Sequence, residues 1–353
     1  MTDLIPQKHM QYLNALAYWL FFCCFAVFCM VLVGAITRLS ESGLSIVEWR
    51  PVTGALPPLN QVQWEEAFDL YKQSPQFEKQ NFWMSLEDFK HIFFWEWFHR
   101  LLGRLIGMFY ALPFVYFLVR KQVPKDRILP LVGIFLLGGA QGFMGWYMVK
   151  SGLVDQPAVS HYRLAAHLLL ALLIFVLMLR QGLSFLFAAR GLPTKADNSL
   201  RVHALAALLA IVITIFWGAL TAGLDAGLVY NDSFPLMGDG LVPEEVWFYK
   251  PLWHALLDIP AGVQFVHRWL AMTTFVIVTS LALRAVVFRK RREWCFWAIG
   301  VMALLQVGLG LTTLFSGVAL PLAVMHQGGA VLLLTLIVIC LQSLKAPTTP
   351  QPC

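Results

Sequence analysis

Trp95-Glu96-Trp97-Phe98-His99-Arg100 sits in the outer third of a hydrophobic segment. An ionisable residue inside a membrane span is costly to bury and marks a function by default. Glu96 and His99 are three apart, which puts them on one face of a helix. A second His-Arg pair, Val266-His267-Arg268, comes early in a later apolar segment, and two further segments carry His167 and His326 near their starts. The rest of the chain reads as scaffolding that brings these four histidines together in two pairs.

Of the 353 residues, 59% are hydrophobic and 13% charged, with a mean hydropathy of +0.67. A soluble domain is nearer half apolar and a quarter charged, so this is an all-α polytopic membrane protein. The net charge of +6 is no nucleic-acid signal, because the basic residues cluster in short loops between apolar segments. Met1 to Asn14 is polar and lacks a small-residue cleavage site, so Ala15 to Ile36 reads as a retained first span. The six cysteines avoid the long polar loops and form no CxxC pair, so no disulfide framework is expected.

A bilayer core needs roughly 20 apolar residues per helix. Eight segments qualify, at 15–36, 92–119, 128–148, 161–180, 202–223, 260–287, 294–315 and 319–343. With the N-terminus inside, fifteen Lys and Arg fall on the inner side against seven in the much longer outer loops, led by Arg289-Lys290-Arg291-Arg292. The positive-inside rule therefore predicts cytoplasmic N- and C-termini. Two outer loops, Arg38 to His91 and Leu224 to Asp258, are too long for connectors. In the first, Gln61 to Gln73 has the pattern of a short surface helix; Glu244-Glu245-Val246-Trp247 is a similar stretch in the second. The polar linker Arg190 to Leu200 divides the chain into 1–190 and 191–353.

The two parts repeat each other. Gly34-Ala35-Ile36-Thr37 matches Gly218-Ala219-Leu220-Thr221, and the match runs on without a gap through Gly43-Leu44 on Gly227-Leu228 and Pro51 on Pro235. His99-Arg100 corresponds to His267-Arg268, Gln141-Gly142 loosely to Gln306-Val307-Gly308, and His167 to His326. Four spans return the chain to the same side, so the expected architecture is two parallel-repeat four-helix bundles. Such bundles build cofactor sites from side chains on facing helices.

His99, His167, His267 and His326 each lie about six to nine residues into a span that runs inward, on the order of 10–13 Å below the outer edge. Histidines at equal depth on parallel helices suit bis-imidazole ligation of haem. A structural zinc site would need four clustered ligands, and no suitably spaced thiolates exist. The bland alternative for each histidine is a hydrogen-bonded residue in an apolar helix. His161 points away from His167 and reads as interfacial. Arg100, Arg104, Arg163 and Arg268 either pair with haem propionates or snorkel and pair with acidic side chains. Glu96 has Gln264 as its counterpart, so only the first half carries an acid/base group beside its histidine. Two other classes compete: a di-haem b electron-transfer protein, which leaves Glu96 unexplained, and a parallel-repeat transporter, which calls for broken helices and midplane charges.

The chain resembles the haem A synthase family in its alphaproteobacterial and mitochondrial branch. The likeness lies in Gly34 to Ser45, Glu96-Trp97-Phe98-His99-Arg100 with Gly103-Arg104, Tyr162 to His167, Val263 to Arg268, and His326-Gln327. It covers about Ala15 to Leu344. The resemblance implies oxidation of the C8 methyl of haem O to the formyl of haem A through a hydroxymethyl stage, in support of terminal oxidases. It implies that His267 and His326 ligate a resident haem b, that His99 and His167 flank the farnesylated substrate haem O, and that Glu96 is the essential acid near it. Arg268 would then bind cofactor. Implied partners are haem O synthase, oxidase assembly factors and an unidentified electron donor, at the cell inner membrane, with a homo-oligomer compatible. Gram-positive members carry a cysteine pair in the first outer loop; Arg38 to His91 has none.

Overall fold

Eight long helices carry the architecture of the computed structural model, which describes residues 7–48, 53–153 and 157–345. Arg50, Pro51 of the repeat match and Cys353 lie outside these residues. The helices are α1 (Gln7–Leu39), α2 (Leu86–Val119), α3 (Lys125–Lys150), α4 (His161–Arg190), α5 (Asn198–Gly223), α6 (Pro260–Leu283), α7 (Trp294–Phe315) and α8 (Leu320–Ser343). All eight are long and apolar enough to cross a membrane. Among the described residues there is no strand, and the five described cysteines are free.

The helices outrun the apolar segments at several ends. α2 begins at Leu86 and not at 92, because Ser85 and Asp88 form a capping box: Asp88 N donates to Ser85 Oγ at 3.3 Å and Ser85 N to the Asp88 carboxylate at 3.0 Å. Hydropathy marks only the lipid-embedded part of a helix, whereas capping lets it continue into the polar region. α4 runs on to Arg190 and stops at Gly191, whose φ of +57° suits a glycine C-cap. The polar linker is correspondingly shorter than the expected 190–200.

α1, α4, α5 and α8 pack together in the middle. α2 and α3 lie on the α1–α4 side, and α6 and α7 on the α5–α8 side. α1 and α8 are the most buried spans, while α2, α3 and α7 leave most of their surface to lipid. Leu16, Leu20, Leu200, Phe296, Ile299 and Leu334 are fully buried in one core that runs through all these helices. The outer loops are fastened to it. The expected surface helix forms at Gln61–Tyr71, capped by Asn60, and stacks on the outward extension of α2 through Trp64 on Phe93 and Tyr71 on Phe89. In the second loop, short helices form at Glu245–Phe248 and Leu252–Asp258. There Tyr230 donates to Glu245 at 2.8 Å, and burial together with that carboxylate pushes its hydroxyl up to about 12. It therefore remains a donor at physiological pH.

One seam joins the chain halves, and a second ties the C-terminal half together. On the outer side Arg38 reaches both oxygens of Asp225 at 3.1 Å, and Tyr162 donates to Asp258 at 2.8 Å. On the inner side Arg291 turns inward from its basic run. It is 5% exposed, pairs with Glu293 at 2.6 Å, and donates to the Lys195 and Ser343 carbonyls at 3.0 and 3.5 Å. Replacing a buried charged donor leaves those acceptors unpaired, so Arg291→Ala should cost about 2 kcal/mol. A melting temperature in detergent equal to that of the unsubstituted protein would show the seam to be dispensable.

Candidate functional site: two histidine pairs

The four histidines share one local construction. Each ring lies on a glycine of a neighbouring helix. A Cβ on Gly34 of α1 would stand 3.1 Å from His99 Cε1, and one on Gly145 of α3 3.1 Å from His167 Cε1. The matching distances are 3.0 Å from Gly218 of α5 to His267 and 3.0 Å from Gly310 of α7 to His326. Any side chain there would crowd the imidazole, so glycine is required by close approach. A glutamine fixes the second ring of each pair: Gln141 Nε2 lies 3.2 Å from His167 Nδ1 and donates to the His167 carbonyl at 3.1 Å. Gln306 does the same for His326, at 3.2 and 2.9 Å.

His99 is close enough to His167 to interact electrostatically, and His267 to His326. All four histidines are partly buried among the helices. His99 Nδ1 and His267 Nδ1 have no hydrogen-bond partner among the described residues. Two imidazoles per half, each seated on a glycine, fit a haem, which brings its own four equatorial nitrogens. Among the described residues, no three His, Cys, Asp or Glu gather to hold a bare metal ion.

Glu96 is 3% exposed and lies one turn before His99 on α2. Its carboxylate accepts from Ser45 Oγ at 2.7 Å, Ile46 N at 2.8 Å and Arg100 at 2.6 Å. Gln264, 2% exposed, instead donates to the Val229 carbonyl at 2.6 Å. Arg100 also donates to the Ile46 carbonyl at 3.1 Å, and Arg268 to the Tyr230 carbonyl, which holds the matching loop position. Arg268 donates further to the Ser233 and Leu236 carbonyls, leaving its Nε unpaired. Each half thus ties its outer loop down over its histidines, but only the first does so with a carboxylate.

Arg163 donates to the Tyr147 carbonyl at 2.8 Å and lies over the Tyr147 ring, in the manner of an interfacial arginine. Arg104 lies one turn inward of Arg100 on α2. His161 is at the outer edge of α4, as expected: its Nε2 is 3.3 Å from Asp258, within ion-pair reach though without hydrogen-bond geometry. The residues that sequence reasoning passed over are Ser45, the glycines under the rings, and the two glutamines as ring anchors. Gly34, Gly218, Gln141 and Gln306 had surfaced only as marks of the repeat.

The profile of the family described as Cytochrome oxidase assembly protein matches residues 17–338. A protein of Rhodospirillum centenum named Heme A synthase is 50% identical over 350 residues, covering 98% of this chain and 92% of its own. Proteins of the same name from Nitrosospira multiformis and Agrobacterium fabrum are 47% and 46% identical, covering 95% and 93% of this chain and 95% and 90% of theirs. With matches that cover nearly the whole chain and reach into all eight helices, it belongs to the haem A synthase family of cytochrome oxidase assembly proteins.

Proposed function

We propose that this chain is a multi-pass membrane oxidoreductase that converts the C8 methyl group of haem O to the formyl group of haem A. In this reading residues 1–190 hold the substrate haem between His99 and His167, and residues 191–353 hold a resident haem b between His267 and His326. The observation that carries it is the fourfold construction of imidazole on glycine, repeated in two pairs. A bound haem b supplies one-electron redox chemistry; what the chain supplies is orientation and protons. Gln141 fixes the His167 ring and Gln306 the His326 ring. Glu96, held by three donors, is the acid/base group of the substrate half. Arg268 holds the second outer loop over the haem b site and keeps its Nε for the cofactor.

The basic residues favour the inner membrane with both termini cytoplasmic, which puts both histidine pairs toward the outer leaflet. Haem O synthase as donor of substrate, oxidase assembly factors and an external electron donor follow from this reaction. Acid extraction and chromatography of the purified protein should yield haem b together with haem O, haem A or a hydroxylated form. Haem b alone at two per chain would instead make it an electron-transfer protein, and absence of haem from folded protein would end the histidine argument.

A further inference from the structure

Two cavities are lined by α3 on either side of Gln141, and their chemistry is opposite. The outer one, about 280 Å³, is lined by Arg100, Trp146, Val149 and Lys150 with Ile46 and Val47 of the loop. It has two cationic side chains, and the Glu96 carboxylate that offsets one of them is buried behind Arg100. The inner one, about 600 Å³, is a groove between α3 and α4 lined by Pro130, Gly133, Leu136, Leu137, Ala140 and Leu177, with Gln181 at its inner end. Between them stands Gln141, the residue next to Ala140 and the anchor of the His167 ring. From Ala140 to Pro130 the groove follows about 15 Å of helix.

The second half carries different residues at the same places. With Gln141 set on Gln306 and Gly145 on Gly310, Lys150 falls on Phe315, Ala140 on Leu305, Gly139 on Leu304 and Gly133 on Ala298. α7 packs along both α6 and α8, whereas α3 packs on α4 and barely touches α2. A Cβ added at Gly133, Gly138, Gly139 or Gly142 would meet nothing within 4 Å.

The geometry points to a fixed orientation for the substrate, resting on the reading of the first half as the haem O site. The propionates face outward to Arg100 and Lys150, and the farnesyl tail lies inward in the α3–α4 groove. A bilayer acyl chain could fill the apolar groove alone. An amphipathic haem matches the whole series of cations, histidine and apolar channel, and the tail is what separates haem O from haem B. The groove is therefore a specificity subsite, and its open side is where the tail slides in from the membrane.

The test uses the full-length protein in nanodiscs, with haem B as a competitive inhibitor of haem O turnover. Haem B has the propionates but no tail, so its inhibition constant should exceed the KM for haem O at least tenfold. Ala140→Leu, which installs the residue of the second half, should raise the KM for haem O about tenfold with kcat within threefold, and bring the two constants together. Lys150→Gln should weaken haem O but not its propionate dimethyl ester. Turnover with equal constants in the unsubstituted protein, or an Ala140→Leu variant that discriminates as before, would overturn the subsite and leave the groove to lipid. No turnover of haem O at all would overturn the function itself. Because the ratio of constants is read within one preparation, partial misfolding of a variant does not mimic the expected result.

Discussion

Glu96→Gln should fold, retain haem b and convert haem O at least about a hundredfold more slowly. The fold survives because Gln264 already fills the matching position at 2% exposure, with the loop above it held in place. The chemistry does not survive, because the amide carries no charge and cannot take up a proton. One carboxylate oxygen of Glu96 now accepts from both Ser45 and Ile46 N, and the other from Arg100. An amide can satisfy one of these sides and must point N–H donors at the other. Breaking a buried ion pair costs roughly 3–5 kcal/mol; Arg100 keeps some exposure and carbonyl partners, so the structural part is smaller. The measurement is single-turnover conversion of haem O beside the haem b content by pyridine haemochrome. Glu96→Asp should recover part of the rate. Unimpaired turnover in the glutamine variant would remove Glu96 from the reaction, and loss of haem b along with turnover would make it a structural anchor only.

Much of this was legible because membranes simplify sequences. Lipid leaves backbone groups only helices or closed barrels to pair in, so each long apolar run declared a span, and each buried histidine stood out against it. The repeat then matched His99 to His267 and His167 to His326, which leaves one pair in each half. What stayed hidden depends on contacts far apart in sequence. Ser45 is 51 residues from Glu96, and no local pattern couples them. The outward extension of α2 was missed because Ser85 and Asp88 act through capping, which hydropathy does not register. Arg268 carried the same motif as Arg100, yet its NH1 and NH2 groups go to loop carbonyls and not to a carboxylate. The α3–α4 groove arises from small residues that in a sequence look like ordinary close packing. Only the position of the neighbouring helices turns Gly133 and Ala140 into open space.

His267→Ala and His326→Ala should each lower the haem b recovered with the purified protein roughly tenfold, on the scale by which lost ligand support weakens a metal site. His99→Ala and His167→Ala should leave haem b in place and stop turnover. The asymmetry follows from packing. α7 lies against α6 and α8 along its length, and Leu305 and Phe315 stand where the first half has Ala140 and Lys150. A haem held there as a permanent cofactor depends for its retention on both axial imidazoles. The first half is open toward the membrane along the α3–α4 groove, as a site must be that releases its product each cycle. Gly310→Leu gives an independent check, since its side chain would enter the 3.0 Å contact with His326 Cε1 and displace the ring without removing the ligand. It should reproduce the His326→Ala loss, while Gly145→Leu should reproduce the His167→Ala phenotype. If all four histidine variants lose haem b equally, the halves are equivalent in occupancy. The division into a substrate half and a cofactor half would then fail, although the four imidazoles would still be the haem ligands.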